Sequence, residues 1–155
     1  MIEEEDRKNS KISTERFTIT PIVFQILQKD TMVLLILKKR ENLWALPGGH
    51  MEKGETSISA AIRECKEEIG VNILPDDQNF AFAALVRDDT KEKKERFCVF
   101  VKATVWQGEP VNNEPEEASE IKWFSLDNLP ENIFNATANG LRDIKAKKVY
   151  AEYGF

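Results

Sequence analysis

Three glutamates within one short segment are the residues of this sequence best suited to chemistry. Glu64, Glu67 and Glu68 stand at positions i, i+3 and i+4. If the segment is helical, with about 100° of rotation per residue, the three carboxylates share one sector of the helix surface. Like charges at this spacing repel each other, and a cation relieves the repulsion. Carboxylate oxygens are hard ligands, so the pattern predicts a Mg²⁺ site in which Mn²⁺ could substitute.

The residues around the glutamates favour a metal site over the alternative, a solvated charged helix face. A solvated face usually places Lys or Arg four residues after a Glu, whereas Glu68 follows Glu64 at that distance. The preceding Gly48-Gly49 turn can bring a backbone carbonyl close to the same ion, because glycine permits a tight approach. Glu55 lies just before the helix, close enough for its loop to fold back over the carboxylates.

The stretch over residues 49–71 resembles the Nudix box, the signature of a family of hydrolases. The box reads Gly, five residues, Glu, seven residues, Arg-Glu, an apolar residue, any residue, Glu-Glu, any residue, Gly and an apolar residue. The matching positions are Gly49, Glu55, Arg63, Glu64, Glu67, Glu68, Gly70 and Val71. Cys65 stands where an aliphatic residue is more usual, and cysteine behaves as a small hydrophobe. The resemblance extends less specifically to residues 44–49 and 113–130, and it favours the MutT-like branch that acts on nucleoside triphosphates.

The resemblance implies hydrolysis of a pyrophosphate bond by water that a divalent metal activates. By the same likeness, the three glutamates hold the metal ions and the Gly48 carbonyl completes their shell. Arg63 and Glu55 are the implied orienting pair, whose bidentate contact would fix the loop against the helix. The general base stays open between one of the box glutamates and a residue on a later loop.

Three residues ahead of the box are candidate substrate contacts. Lys39 and Arg40 end a predicted strand just before the loop that leads to the box, where they could meet phosphates. The alternative for both is an ordinary surface position. Trp44 could stack on a base, although a Trp beside Leu43 and Leu46 is more often a core residue.

Two further features adjoin the predicted metal site. Glu117 belongs to an acidic segment over residues 114–120, and one glutamate of this segment could reach the metal as an extra ligand or base. The alternative for each of these glutamates is a solvated loop. His50 is the single histidine of the chain, and solvent exposure or a hydrogen bond near the metal is a better expectation for it than ligation.

Apolar patterns predict the elements that must position these residues. Strands are expected over 18–27, 32–37, 80–86, 97–105 and 121–124, with a short segment over 43–47, and Pro21 favours an edge or bulge position. The clearest helix begins at Thr56 or Ser57 and ends at Gly70, and a last helix runs from about 133 to 147. This order predicts an α/β (α+β) fold with a mixed sheet sandwiched between helices (α/β/α), the Nudix fold that the resemblance implies.

Composition sets the wider expectations. The chain has 155 residues, a net charge of −5 and a pI near 5.1, values typical of one acidic domain. We expect residues 1–16 to form a charged, partly mobile tail and residues 17–155 to form a single Nudix hydrolase domain. The acidic balance argues against generic nucleic-acid binding, and no apolar run is long enough for a membrane span. Cys65 and Cys98 are expected to be reduced core thiols, which predicts a cytoplasmic protein.

The predicted function is Mg²⁺-dependent hydrolysis of a nucleoside triphosphate, or of another nucleoside diphosphate linked to a moiety X. The products would be a nucleoside monophosphate and pyrophosphate or X-phosphate. ADP-ribose, a dinucleoside polyphosphate and a nucleotide sugar stay open as substrates. A non-catalytic nucleotide-sensing Nudix module also stays open, although such modules usually lose a box glutamate and all four are present here. The expected partner is a small nucleotide polyphosphate, and the expected assembly is a monomer or a homodimer.

Overall fold

The structure is a computed structural model that describes residues 18–155, so the predicted tail over 1–16 lies outside the described residues. The described chain forms strands and helices in the following order: β1 (Thr20–Lys29), β2 (Met32–Lys38), β3 (Leu43–Ala45), β4 (Gly48–His50), α1 (Ser57–Ile69), β5 (Asn79–Arg87), β6 (Glu95–Ala103), β7 (Ala118–Ser125), α2 (Asn135–Lys145) and β8 (Tyr150–Tyr153). A single 3-10 turn spans Pro75–Asp77 between α1 and β5.

β1 is the strand on which the mixed sheet is built. It runs parallel to β6 and antiparallel to β4 and β2, and the main strand order is β3-β2-β1-β6-β5-β8. The expectation that Pro21 marks an edge or a bulge is therefore wrong, because β1 is an interior strand. Pro21 is only the second residue of β1, where a missing N–H is tolerated, and its carbonyl accepts a 3.1 Å hydrogen bond from the Met51 amide.

Alternating side chains of β1 divide the core into two layers. Val23 and Leu27 point to the side of the sheet that α1 covers. Ile22 and Ile26 point to the opposite side, where they pack in one cluster with Leu141 of α2. The mixed sheet thus lies between two helices, which confirms the predicted fold class.

The predicted helices and the predicted long strands are present, with ends shifted by a few residues. The short segment over 43–47 forms a strand only as far as Ala45. Two strands were not predicted, β4 and β8. β4 has two glycines among its three residues, and glycine has a low strand propensity, so its pairing with β1 depends on tertiary contacts. β8 has four residues and pairs with β5 alone.

Two chain-wide expectations can be compared with the structure. Cys65 and Cys98 are buried free thiols, as predicted, and burial raises the pKa of Cys98 to about 11. Within residues 18–155, neither helix is both long enough and apolar enough to cross a bilayer.

A buried carboxylate joins α2 to β8. Asp143 is 2% exposed, and its carboxylate accepts a 2.6 Å hydrogen bond from the Tyr153 hydroxyl. Arg142 and Lys148 donate to the other carboxylate oxygen at 3.2 and 3.3 Å. These donors hold the pKa of Asp143 below its usual value, and the tyrosine hydroxyl is the main cause.

Tyr153→Phe is expected to lower the free energy of unfolding by about 1.5–3 kcal/mol, the range for hydrogen bonds to charged groups. The reason is that Asp143 stays buried and loses its shortest contact. Urea unfolding measures the change. Tyr150→Phe is the matched control, because the Tyr150 hydroxyl contacts only the exposed Glu152, and we expect a change within about 0.5 kcal/mol. Equal effects of the two variants would contradict a stabilising role for the Asp143 contact.

Candidate active site

The predicted glutamates lie in the last turns of α1, whose two ends are fixed by the local sequence. The Thr56 hydroxyl accepts from the Ser59 amide at 3.1 Å, and the Ser59 hydroxyl accepts from the Thr56 amide at 2.9 Å, so the N-terminus is capped reciprocally. Gly70 ends the helix in the left-handed conformation, at φ 70°. The carboxylates therefore meet the negative end of the helix dipole, which increases their need for a cation.

Two glycines bring the β4 backbone against α1. A Cβ atom on Gly48 would lie 2.1 Å from the Val23 carbonyl oxygen, and Gly48 has a φ of 154°, where other residues are strained. A Cβ atom on Gly49 would lie 2.6 Å from Oε1 of Glu64. The Gly48-Gly49 pair thus allows backbone and carboxylate to share a space that a side chain would fill.

Glu68 is the most buried of the three glutamates, with 6% of its side chain exposed. Its Oε1 accepts a 2.6 Å hydrogen bond from the Lys38 ammonium, and its Oε2 accepts a 2.9 Å bond from the Gly48 amide. Burial raises the pKa of Glu68, while the Lys38 charge and these hydrogen bonds oppose the rise. The sequence predicted a carboxylate on a sector away from the apolar stripe, and the structure instead places Glu68 among the buried residues of α1.

Arg63 makes the bidentate contact with Glu55 that the family resemblance implies. Its Nε and one terminal nitrogen donate to the two Glu55 oxygens at 2.6 and 3.1 Å, and the same terminal nitrogen donates to the His50 carbonyl at 3.1 Å. The other terminal nitrogen contacts Glu64 at 3.0 Å and Glu67 at 3.3 Å. The guanidinium lowers the pKa of Glu55 to about 2. Arg63 therefore links the loop that carries Glu55 to β4 and to two glutamates of α1, Glu64 and Glu67.

Glu64 and Glu67 differ in their exposure to water. The Glu64 side chain is 13% exposed, and burial raises its pKa against the opposing Arg63 charge. The negative charges of Glu67 and Glu114 raise that pKa further. Glu67 is half-exposed. Asn113 docks the acidic segment on α1, because its backbone amide and its side chain donate to the Glu68 and Glu67 carbonyls at 3.0 Å each.

The donor set fits a hard divalent cation in its chemistry. The Glu64 and Glu68 carboxylates are largely buried. They lie at the negative end of a helix, beside the backbone of Gly48 and Gly49. Across residues 18–155, however, no three His, Cys, Asp or Glu side chains converge closely enough to form a ready-made metal cage. The carboxylates are paired with Lys38 and Arg63 instead.

A cleft of about 530 Å³ opens on the α2 side of the sheet. Glu64, Glu67 and Glu68 do not line it, but Lys38 and Gly48, which contact Glu68, do. Of the residues that the sequence singled out, Arg40, Glu117, His50 and the two glycines line this cleft. Lys39 does not line it, and its ammonium instead donates to the Pro115 carbonyl at 3.3 Å.

Trp44 does not line the cleft either. It is 6% exposed and packs edge-to-face on Phe124 with 4.7 Å between ring centroids. The core position, which the sequence analysis held as the alternative, is therefore its place in the structure.

The sequence analysis missed several residues that the cleft contains, of which Lys38, Arg96, Phe24 and Phe134 are the most relevant. Arg96 lies on β6 and contacts Asp88 at 3.4 Å. A signal for it was present, because Arg96 lies on the same face of β6 as Cys98 and Phe100, which belong to the core. Phe134 lies just before α2 and reaches the cleft only through the tertiary fold.

Comparison with known protein families shows which family has this combination of fold and site. The family model described as NUDIX domain matches residues 16–144, most of the chain. The chain belongs to the Nudix family. The resemblance first seen over residues 49–71 thus extends from β1 into α2, and this chain is a Nudix hydrolase.

Individual relatives carry different substrate names. An ADP-ribose pyrophosphatase from Methanocaldococcus jannaschii is 34% identical over 113 residues, which span 71% of this chain and 64% of that protein. An 8-oxo-dGTP diphosphatase from Buchnera aphidicola is 30% identical over 90 residues, which span 58% of this chain and 68% of that protein. The crystal structure of a MutT NUDIX hydrolase from Burkholderia pseudomallei matches with a TM-score of 0.74 and 26% identity, covering 81% of this chain and 98% of that one.

Gly49→Ala is expected to lower kcat/KM of this Nudix hydrolase by about 10–100-fold, the loss typical of disturbed metal-ligand positioning. The new methyl group would occupy the place of the Glu64 carboxylate, 2.6 Å from Oε1, and would push it aside. Thermal unfolding should change little, because the Glu64 side chain can move. Steady-state kinetics together with the unfolding temperature test this, and unchanged kcat/KM would contradict the close approach.

Proposed function

We propose that this Nudix hydrolase cleaves the pyrophosphate bond of a nucleoside triphosphate, with Mg²⁺ as its cofactor and Mn²⁺ as a substitute. The proposed metal ligands are Glu64, Glu67, Glu68 and the Gly48 carbonyl. The observation that carries the proposal is the pair of largely buried carboxylates, Glu64 and Glu68, joined through Lys38 and Gly48 to a cleft that contains cationic side chains. Carboxylates suit a hard cation, and cations on the cleft wall suit a polyphosphate.

The residues of the chain have separable roles in this mechanism. When bound, the metal supplies Lewis-acid activation of the phosphates and of the attacking water. Arg63, held by Glu55, orients Glu64 and keeps β4 at the carboxylates. Arg40 and Arg96 offset the negative charge of the phosphates from the cleft wall. The base that accepts the water proton is one of the box glutamates or Glu117, which lines the same cleft.

A second candidate substrate is a nucleoside diphosphate linked to a larger moiety, with ADP-ribose as its first member. A neighbouring cavity of about 680 Å³ shares Arg96, Phe134 and Ala136 with the cleft. This space could hold the moiety beyond the diphosphate. The similarity to a protein named ADP-ribose pyrophosphatase supports the same candidate. Dinucleoside polyphosphates and nucleotide sugars belong to this class as well.

A hydrolysis panel with Mg²⁺ tests the proposal. It contains NTPs, dNTPs, 8-oxo-dGTP, ADP-ribose, dinucleoside polyphosphates and nucleotide sugars, with products identified by ion chromatography. We expect the highest kcat/KM for a triphosphate, with pyrophosphate as a product. A higher kcat/KM for ADP-ribose would favour the second candidate. Tight nucleotide binding without turnover of any substrate would overturn both and indicate a nucleotide sensor.

A further inference from the structure

Lys38 forms an ion pair with Glu68, one of the proposed ligands of the metal ion. Its ammonium lies 2.6 Å from Oε1 of Glu68, and the Gly48 amide takes Oε2, so both oxygens of Glu68 already have partners. Glu68 is 6% exposed, whereas Lys38 is 26% exposed. A buried carboxylate without a counter-charge is costly, and Lys38 supplies that charge to Glu68.

Lys38 also lies at the cleft. It ends β2 and lines the cleft together with Arg40 of the following turn, whereas the Lys39 ammonium lies 3.3 Å from the Pro115 carbonyl. A lysine side chain has four flexible methylenes, so its ammonium can move while its backbone stays in the strand. Because Lys38 lines the cleft, an ammonium that leaves Glu68 would stay close to phosphates bound there.

We propose that Lys38 is an internal counter-ion, which neutralises Glu68 in the metal-free enzyme and turns to the substrate phosphates when a divalent cation takes its place. The inference rests on the proposed function, because it assumes that Glu68 is a metal ligand. Lys38 acts through Glu68 and is a positioning residue before substrate arrives. The divalent cation and the Lys38 ammonium therefore compete for Glu68, and this competition weakens and slows binding of the cation.

Lys38→Met tests the competition, because methionine keeps an unbranched apolar stem and removes the charge. Without metal, in EDTA, we expect the variant to unfold at a lower temperature than the wild type. Saturating Mg²⁺ should shrink this difference, because the cation then neutralises Glu68 in both proteins. The affinity for Mn²⁺, measured by electron paramagnetic resonance on the folded protein, should rise about tenfold, on the scale of one charged hydrogen bond lost.

Two further variants complete the test. Lys29→Met changes an exposed lysine at the end of β1 and should leave the Mn²⁺ affinity at the wild-type value. Lys38→Arg keeps the charge and should restore both the stability in EDTA and the weaker Mn²⁺ binding. If Lys38→Met does not fold in EDTA, the Mn²⁺ affinities of Lys38→Gln and Lys38→Arg are compared instead. We expect Lys38→Gln to bind Mn²⁺ more tightly than Lys38→Arg.

The outcomes separate this inference from the proposed function. If Lys38→Met binds Mn²⁺ with wild-type affinity while Glu68→Gln loses it, the counter-ion role is wrong and the metal site stands. If the wild type does not bind Mn²⁺, the proposed function and the counter-ion role are both overturned. Tighter Mn²⁺ binding in Lys38→Met, together with a Mg²⁺-dependent recovery of its unfolding temperature, supports the counter-ion role.

Discussion

Glu68→Gln is expected to lower kcat by about a thousandfold or more, a loss of about 4 kcal/mol of transition-state stabilisation at about 1.4 kcal/mol for each tenfold. Glutamine keeps the shape of the side chain and an oxygen that can accept from the Gly48 amide, but it removes the charge that a divalent cation needs. The fold should stay nearly intact, because a neutral amide is less costly to bury than a carboxylate. Catalysis and folding therefore respond very differently to this change.

The measurement is steady-state kcat over a range of Mg²⁺ concentrations, with circular dichroism to check the fold. Glu109→Gln provides the control, since it makes the same chemical change at an exposed position away from the cleft. We expect the control to keep wild-type kcat. Near wild-type turnover in a folded Glu68→Gln variant would mean that the metal assignment is wrong.

Arg63→Lys should cost about 10–100-fold in kcat/KM, the usual loss when a group that positions metal ligands is removed. Lysine keeps the positive charge but has no planar fork, so it cannot contact Glu55 with two parallel bonds and also reach Glu64 and the His50 carbonyl. The loop ahead of α1 would then hold β4 less firmly. Because the charge is retained, the expected loss of kcat/KM comes from the altered hydrogen-bond geometry alone.

Kinetics and Mn²⁺ affinity of Arg63→Lys, read side by side, test this role. Arg142→Lys makes the same substitution on α2, where the arginine side chain is 63% exposed, and it should change neither quantity. Full activity of Arg63→Lys would show that charge alone suffices at this position. A loss of folding instead of activity would show that the Arg63 contacts serve stability, contrary to the positioning role.

The local sequence was sufficient to predict α1 and the position of its carboxylates along the helix. The spacing of Glu64, Glu67 and Glu68, the cap at Thr56 and the stop at Gly70 are all properties of residues within one helix. The contact between Arg63 and Glu55 also lies within eight residues. The carboxylate spacing, the cap and the stop follow from helix geometry, whereas the contact between Arg63 and Glu55 was implied by the family resemblance.

Long-range features of the site were harder to predict. The burial of Glu68 depends on β2 and β4, which lie far from it in sequence and bring Lys38 and the Gly48 amide to its two oxygens. Arg96 enters the cleft because β6 lies beside β1 in parallel, a pairing that local patterns do not specify. Trp44 was easier to place, because its apolar neighbours Leu43 and Leu46 favoured the core over stacking on a base, and the structure buries it.

The most direct test of the central claim, that α1 carries a metal-dependent pyrophosphohydrolase site, is hydrolysis in ¹⁸O-enriched water followed by mass spectrometry of the products. The wild type would be given the best substrate of the panel, with Mg²⁺ or with EDTA. The account predicts a nucleoside monophosphate and pyrophosphate or X-phosphate, one ¹⁸O atom in one of the two products, and no reaction in EDTA. Inorganic phosphate as the first product, or equal turnover in EDTA, would contradict it.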